Sequence, residues 1–254
     1  MIALATIRFA LSTLVLTLWH AVRVILASLA GVRHQSGHYD RIVRSWARQL
    51  VGVNRLRVAA VGLERLDPAA PYVLVSNHTS FVDIWALLVT LPGAIRFIAK
   101  RELLWIPVFG WALRSAGHIA IDRRDLRDAM AGYDEAARAI RAGVSALVFV
   151  EGTRSRTGEL LDFKKGAFVL AIAAGVPVVP VYIDGAFRVL PRGSLVFRPG
   201  PVRVLVGEPI PTAGLGYEDR DVLRERARRA MLALRDRAGA GREAAAPAGA
   251  GARG

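Results

Sequence analysis

Between Leu56 and Val206 the chain alternates short β-rich runs with helix-like stretches, and this alternation restricts the fold more than any other feature. The β-rich runs are Leu56–Val61, Tyr72–Val75, Ile95–Ala99, His118–Ile121, Ala146–Val150, Val178–Ile183 and Val202–Val206. Helical patterns fill Phe81–Leu91, Leu126–Ala142 and Phe163–Ala174. In the second, Leu126, Met130, Tyr133, Ala137 and Ile140 step by three or four along one face. Strands separated by helices predict an α/β fold with a single open, mostly parallel sheet flanked by helices. Proline lacks a donor and belongs at sheet edges or strand starts, so Pro177 and Pro180 mark Val178–Ile183 as the last regular strand near the site. A final helix is expected over Asp221–Arg237, with Leu223, Ala227, Ala230, Met231 and Leu234 on one side. The stretch 238–254 is low-complexity Ala/Gly sequence with nothing to pack, and is expected to be disordered.

Ahead of the α/β domain, placed at 51–237, residues 1–50 are apolar and then basic. Arg8, His20 and Arg23 interrupt the apolar part, and a clean span needs about 20 consecutive apolar residues. A cleaved signal would begin with basic residues and end at a small-residue site, which this stretch does not do. The expectation is one or two membrane-embedded or interfacial helices. A single spanning helix that starts near Phe9 and tolerates Arg23 stays open. From Met1 to Arg65 there are nine arginines against Asp40 and Glu64, which reads either as a cytoplasmic flank drawn to anionic lipid or as an ordinary solvated face.

The formal charge is +14 over 254 residues, which admits nucleic acid, an anionic membrane surface or an anionic substrate as partner. The absence of cysteine removes thiolate nucleophiles, disulfides and Cys-type zinc sites. Of the 35 basic residues only Lys100, Lys164 and Lys165 are lysine. All three lie close to the strand ends described next.

"YVLVSNHTSFVD" is a strand that delivers His78 to its carboxyl end, the edge where open α/β sheets bind ligands. Asp83 follows five residues later. An acid on one ring nitrogen would fix the tautomer and leave the other nitrogen free to take a proton. Ser80-x-x-Asp83 also matches a capping box, in which Asp83 merely satisfies helix amides. The two readings are compatible on one geometry. Lys100 ends a second strand, and Asp122-Arg123-Arg124 follows a third. "FVEGTRS" places Glu151, Gly152, Thr153 and Arg154 after a fourth, where a guanidinium fork suits phosphate; Arg156, Lys164 and Lys165 follow.

No G-x-S-x-G elbow, Walker loop, G-x-G-x-x-G or metal-spaced cluster is present, so serine hydrolase, nucleotide-binding and metal-dependent chemistry lack their sequence marks. A base, cations at strand ends and a hydrophobic anchor suit acyl transfer to the hydroxyl of an anionic, membrane-resident acceptor.

"NHTSFVD", "GHIAIDR", "FVEGTRS" and "VPVVPV", in this order from Asn77 to Val181, resemble the four motifs of the glycerolipid acyltransferases. The resemblance implies that His78 is the base and Asp83 its orienting acid. It implies that Asn77, Ser80, Lys100, Arg123, Glu151, Gly152, Thr153 and Arg154 bind substrate, the arginines toward a phosphate. It implies direct attack of the glycerol 2-hydroxyl of a 1-acylglycerol 3-phosphate on acyl-CoA or acyl carrier protein, as co-substrate and without a cofactor or metal. It also implies an enzyme of phospholipid biosynthesis at the cell membrane, with the catalytic domain on the cytoplasmic face. Many relatives have proline where this chain has Val150, which alters a turn and removes no charge. Backbone amides around His78 and Ser80 are the expected oxyanion donors. The alternatives are another lysophospholipid or lyso-aminolipid acceptor, and a non-enzymatic basic membrane- or nucleic-acid-binding protein. Against nucleic acid, basic residues do not interleave with aromatics along any one segment.

Overall fold

The computed structural model describes residues 1–33, 37–121 and 126–243. Its helices are α1 (Ile2–Leu29), α2 (His38–Val53), α3 (Val82–Thr90), α4 (Phe109–Ser115), α5 (Leu126–Arg141), α6 (Gly166–Ala174), α7 (Ala186–Val189) and α8 (Arg220–Glu243). Its strands are β1 (Arg57–Val61), β2 (Val73–Ser76), β3 (Ile95–Lys100), β4 (Ile119–Ile121), β5 (Ser145–Phe149), β6 (Val178–Asp184) and β7 (Pro201–Val206). Every run expected to be a strand is one, to within a residue or two. The last helix continues past its expected end at Arg237 to Glu243.

The strands form one sheet in the order β1-β7-β6-β2-β5-β3-β4. All neighbours are parallel except β6 and β7. Period-2 alternation sends side chains to two cores. Val73, Val75, Ala146 and Val148 pack with α5, α6 and α8 on one face. Leu74, Leu147, Val179 and Val181 pack with α3 and the N-terminal helices on the other.

Pro180 does not lie on an edge. β6 is interior, and Pro180 pairs in register with Val75 of β2. The Pro180 carbonyl accepts the Gly207 amide at 2.8 Å, so its absent N–H also points to the β7 side. The β6–β7 ladder opens only one residue later, at Val181↔Val206, and the missing donor falls just outside it.

The N-terminal segment is one continuous helix followed by a separate amphipathic helix. α1 is long and apolar enough to cross a membrane, by length and composition. It nevertheless lies against the protein along much of its length. Phe9 stacks on Phe197 with centroids 4.6 Å apart, Trp46 Nε1 donates to Thr17 Oγ1 at 3.1 Å, and Asn54 Nδ2 donates to Ser12 Oγ at 3.0 Å. Its opposite face, including Leu4, Leu11, Leu14, Leu18, Trp19 and Leu26, is exposed. Arg44 of α2 is not a solvated cation: it donates to the carbonyls of Leu88, Leu91 and Gly93 at the end of α3. The Leu88 and Leu91 carbonyls belong to the helix end, where acceptors lack intrahelical partners, and the Gly93 carbonyl to the loop after it; one guanidinium satisfies all three. Asp40 pairs with the buried Arg96 of β3 at 2.5 Å, so α2 is fastened to the sheet as well.

Candidate active site

The register of the central strands places the site. Ser76 of β2 pairs with Phe149 of β5, so His78 and Glu151 leave the sheet side by side at its carboxyl edge. β3 runs parallel on the other side of β5 and brings Lys100 to the same edge.

His78 Nδ1 donates to Asp83 Oδ2 at 2.8 Å. The same oxygen accepts the amides of Thr79 at 2.7 Å and Ser80 at 2.8 Å. Asp83 is fully buried, and three donors converge on its Oδ2 as acceptor. The proton of the imidazole therefore sits on Nδ1, and Nε2 presents its lone pair. The ring stacks on Phe149 with centroids 3.8 Å apart and planes 12° apart, which fixes its second rotational freedom. The His78 carbonyl accepts the Ser155 amide at 2.8 Å, tying the histidine loop to the loop after β5.

Base pair and cap are thus one structure. Asp83 takes the Ser80 amide, as in a capping box, while Ser80 Oγ accepts the Val82 amide at 3.2 Å. Three of the candidate oxyanion donors are engaged inside the turn: the Thr79 and Ser80 amides serve Asp83 and the Val82 amide serves Ser80. Ser80 is fully buried in this turn and does not line the cavity described below. Asn77 is likewise buried and does not line that cavity. Its side chain donates to the Ile183 carbonyl at 3.0 Å and accepts the Ile183 amide at 2.7 Å, so it locks β2 to β6.

His78, Lys100, Gly152, Thr153 and Arg154 line one cavity of about 470 Å³. Gly152 turns the chain at φ 73°, a conformation open to glycine and costly for other residues. Arg154 rests its guanidinium over the Phe81 ring, 4.0 Å from the centroid. Arg123 lies outside the described residues. Lys164 and Lys165 do not line the cavity, and Lys165 pairs with Asp221 of α8 at 3.0 Å.

Glu151 is 2% exposed, and neither carboxyl oxygen has a hydrogen-bond partner among the described residues. Burial raises its pKa to about 8; the nearby Leu161 and His78 backbone groups, short of hydrogen-bonding geometry, oppose this, and the Asp83 charge adds to it. The group is mainly a neutral acid at pH 7, able to donate a hydrogen bond.

Arg192 is the residue the sequence did not single out. Its Nη1 donates to Thr153 Oγ1 at 2.9 Å and to the Arg154 carbonyl at 2.7 Å, and it lines the same cavity. Burial lowers the Arg154 pKa, and the adjacent Arg192 charge adds to the effect. Among the described residues neither guanidinium is in an ion pair, so together they offer an anion site. The only local signal for Arg192 was the turn sequence Pro191-Arg192-Gly193.

Away from this charged mouth the cavity is apolar. Its walls include Ala21 and Val24 of α1, Ile42 of α2, Leu88 of α3 and Ala112 of α4. A base, an anion site and an apolar pocket therefore share one space, which is of the size usual for ligand sites.

The sequence profile described as "Acyltransferase" matches residues 57–184. The chain is 36% identical over 212 residues to 1-acyl-sn-glycerol-3-phosphate acyltransferase alpha of Homo sapiens, covering 83% of this chain and 75% of that protein. It is 42% identical over 151 residues to the chloroplastic 1-acyl-sn-glycerol-3-phosphate acyltransferase BAT2 of Brassica napus, covering 59% of this chain and 44% of that one. The crystal structure of the 1-acyl-sn-glycerophosphate (LPA) acyltransferase PlsC from Thermotoga maritima superposes with a TM-score of 0.74 at 28% identity, over 92% of this chain and 96% of that one.

Proposed function

The chain belongs to the acyltransferase family, and from that premise we propose that it acylates the 2-hydroxyl of 1-acyl-sn-glycerol 3-phosphate to make phosphatidic acid. The observation that carries the reading is the placement of the His78–Asp83 pair between two unpaired guanidiniums and an apolar pocket. The acceptor phosphate sits on Arg154 and Arg192, with Lys100 at the same rim. Glu151 is buried beside this mouth and does not line the cavity, so its part in acceptor binding goes through Gly152, Thr153 and Arg154, which do. The acyl chain of the donor thioester fills the apolar pocket.

His78 Nε2 removes the proton of the 2-hydroxyl as its oxygen attacks the thioester carbonyl. The tetrahedral intermediate collapses, the carbon–sulfur bond breaks, and the imidazolium returns the proton to the departing thiolate. Asp83 stabilises that imidazolium and stays ionised. The donor is acyl-CoA or acyl carrier protein. α1 associates the protein with the membrane where its lipid acceptor resides. The catalytic domain faces the cytoplasm, which holds both thioester donors.

The test is purified protein with lysophosphatidic acid and acyl-CoA, following free thiol. Thiol release that depends on the acceptor is expected. His78→Ala should lose it by about 10²–10⁴-fold while the far-UV circular dichroism stays native. A folded His78→Ala protein with wild-type turnover sinks the mechanism. Turnover only with a phosphate-free lysolipid sinks the acceptor assignment.

A further inference from the structure

α1 is not alone in exposing apolar residues. In the turn Arg101–Trp105 and α4, Trp105 is 69% exposed, Trp111 52%, Ile106 46% and Val108 38%. Tryptophan is rarely left this open on a surface that faces only water. Val108 at the apex has φ 63°, an outlier for a β-branched residue. Strain of this kind persists where the segment has a task beyond packing.

The segment is a thin wall. Leu103, Phe109 and Leu113 turn inward and line the active-site cavity. Trp105, Ile106, Val108 and Trp111 are exposed and do not line it. The wall continues the membrane-associated face: Ala112 of α4 and Ala116 just beyond its end cluster with Ala21, Val24 and Ile25 of α1. Trp111, next to Ala112, is exposed, as are Trp19 and Leu26 of α1. Arg101 and Arg114 flank the apolar stretch, as suits a segment that meets lipid headgroups at both ends.

We propose that Arg101–Ser115 is a second membrane-inserting element, seated in the same leaflet as α1, with Trp105, Ile106, Val108 and Trp111 dipping among the lipid acyl chains. The acyl pocket is then separated from the bilayer by one layer of side chains, and an acyl chain reaches it without crossing water. This goes beyond the catalytic reading and does not depend on it, because insertion is measured without substrate.

The experiment uses the full chain and vesicles of phosphatidylcholine and phosphatidylglycerol, with plain or brominated acyl chains. Brominated lipid quenches tryptophan that lies among the chains. The expected result is strong quenching of a Trp19→Phe protein, which removes the reporter on α1, and loss of most of that quenching when Trp105→Phe/Trp111→Phe is made in the same background, the protein still sedimenting with vesicles through α1. Equal quenching of the Trp19→Phe protein with and without the double variant overturns the proposal. So does a Trp19→Phe protein with no quenching, which also decides the matter if the double variant fails to fold. Protection of Trp105 and Trp111 by self-association, seen as a dimer without lipid and no bromine quenching, overturns it too.

Discussion

Oδ2 of Asp83 stands 2.8 Å from Nδ1 of His78 and accepts two backbone amides at the same time. The carboxylate orients the ring, and the amides orient the carboxylate. Asp83→Asn replaces one acceptor oxygen by an amide that prefers the other imidazole tautomer. The expected outcome is a kcat reduced by about 10²-fold or more with little change in either KM, since the base loses its orientation and its counter-charge. Steady-state kinetics on lysophosphatidic acid check this; an unchanged kcat would remove Asp83 from the mechanism.

Arg192 and Arg154 share a carbonyl contact and have no carboxylate partner among the described residues. Arg192→Gln should raise the KM for lysophosphatidic acid about tenfold or more, the size expected for loss of a charged hydrogen bond. The KM for acyl-CoA should stay as it is, and Arg192→Lys should recover part of the loss. A phosphate-free acceptor should not sense the change. Equal effects on both substrates would mean that Arg192 only braces the loop.

Glu151 offers a stability test with a definite sign. Its carboxyl is held at about 8 in the folded chain against an ordinary value of 4.5. Between these two values the folded state holds a proton that the unfolded state has released. Stability from this group is therefore intact below pH 4.5 and declines as pH rises toward 8, by at most about 1.4 kcal/mol per pH unit. Glu151→Gln keeps a neutral donor and does not titrate. Urea unfolding of both proteins should diverge between pH 5 and pH 8, with the Gln variant gaining. Parallel pH profiles would show that Glu151 is charged in the folded state.

Much of this protein was decided locally. The strands and three of the helices of the central domain, α3, α5 and α6, follow from period-2 and period-3.6 patterns, which depend on residues a few positions apart. The His78–Asp83 pair spans five residues, so one strand end and one helix turn suffice to build it. Lys100, Glu151, Gly152 and Arg154 were placed because each follows a strand of a parallel sheet, and parallel strands deliver their ends to a common edge.

What the sequence could not settle depends on which strands become neighbours and which faces the helices cover. Asn77 hydrogen-bonds Ile183, 106 residues away, and so ties β2 to β6. Pro180 sits inside the sheet because β7 folds back antiparallel beside it and leaves no donor wanted at that point. Arg192 reaches Arg154 across 38 positions, and no spacing rule points to it. The apolar pocket exists because α1, α2, α3 and α4 pack over the edge that holds His78. Patterns of hydrophobicity say which side of an element is buried; packing alone says against what, because burial is non-directional and the partner is selected by the assembled shape.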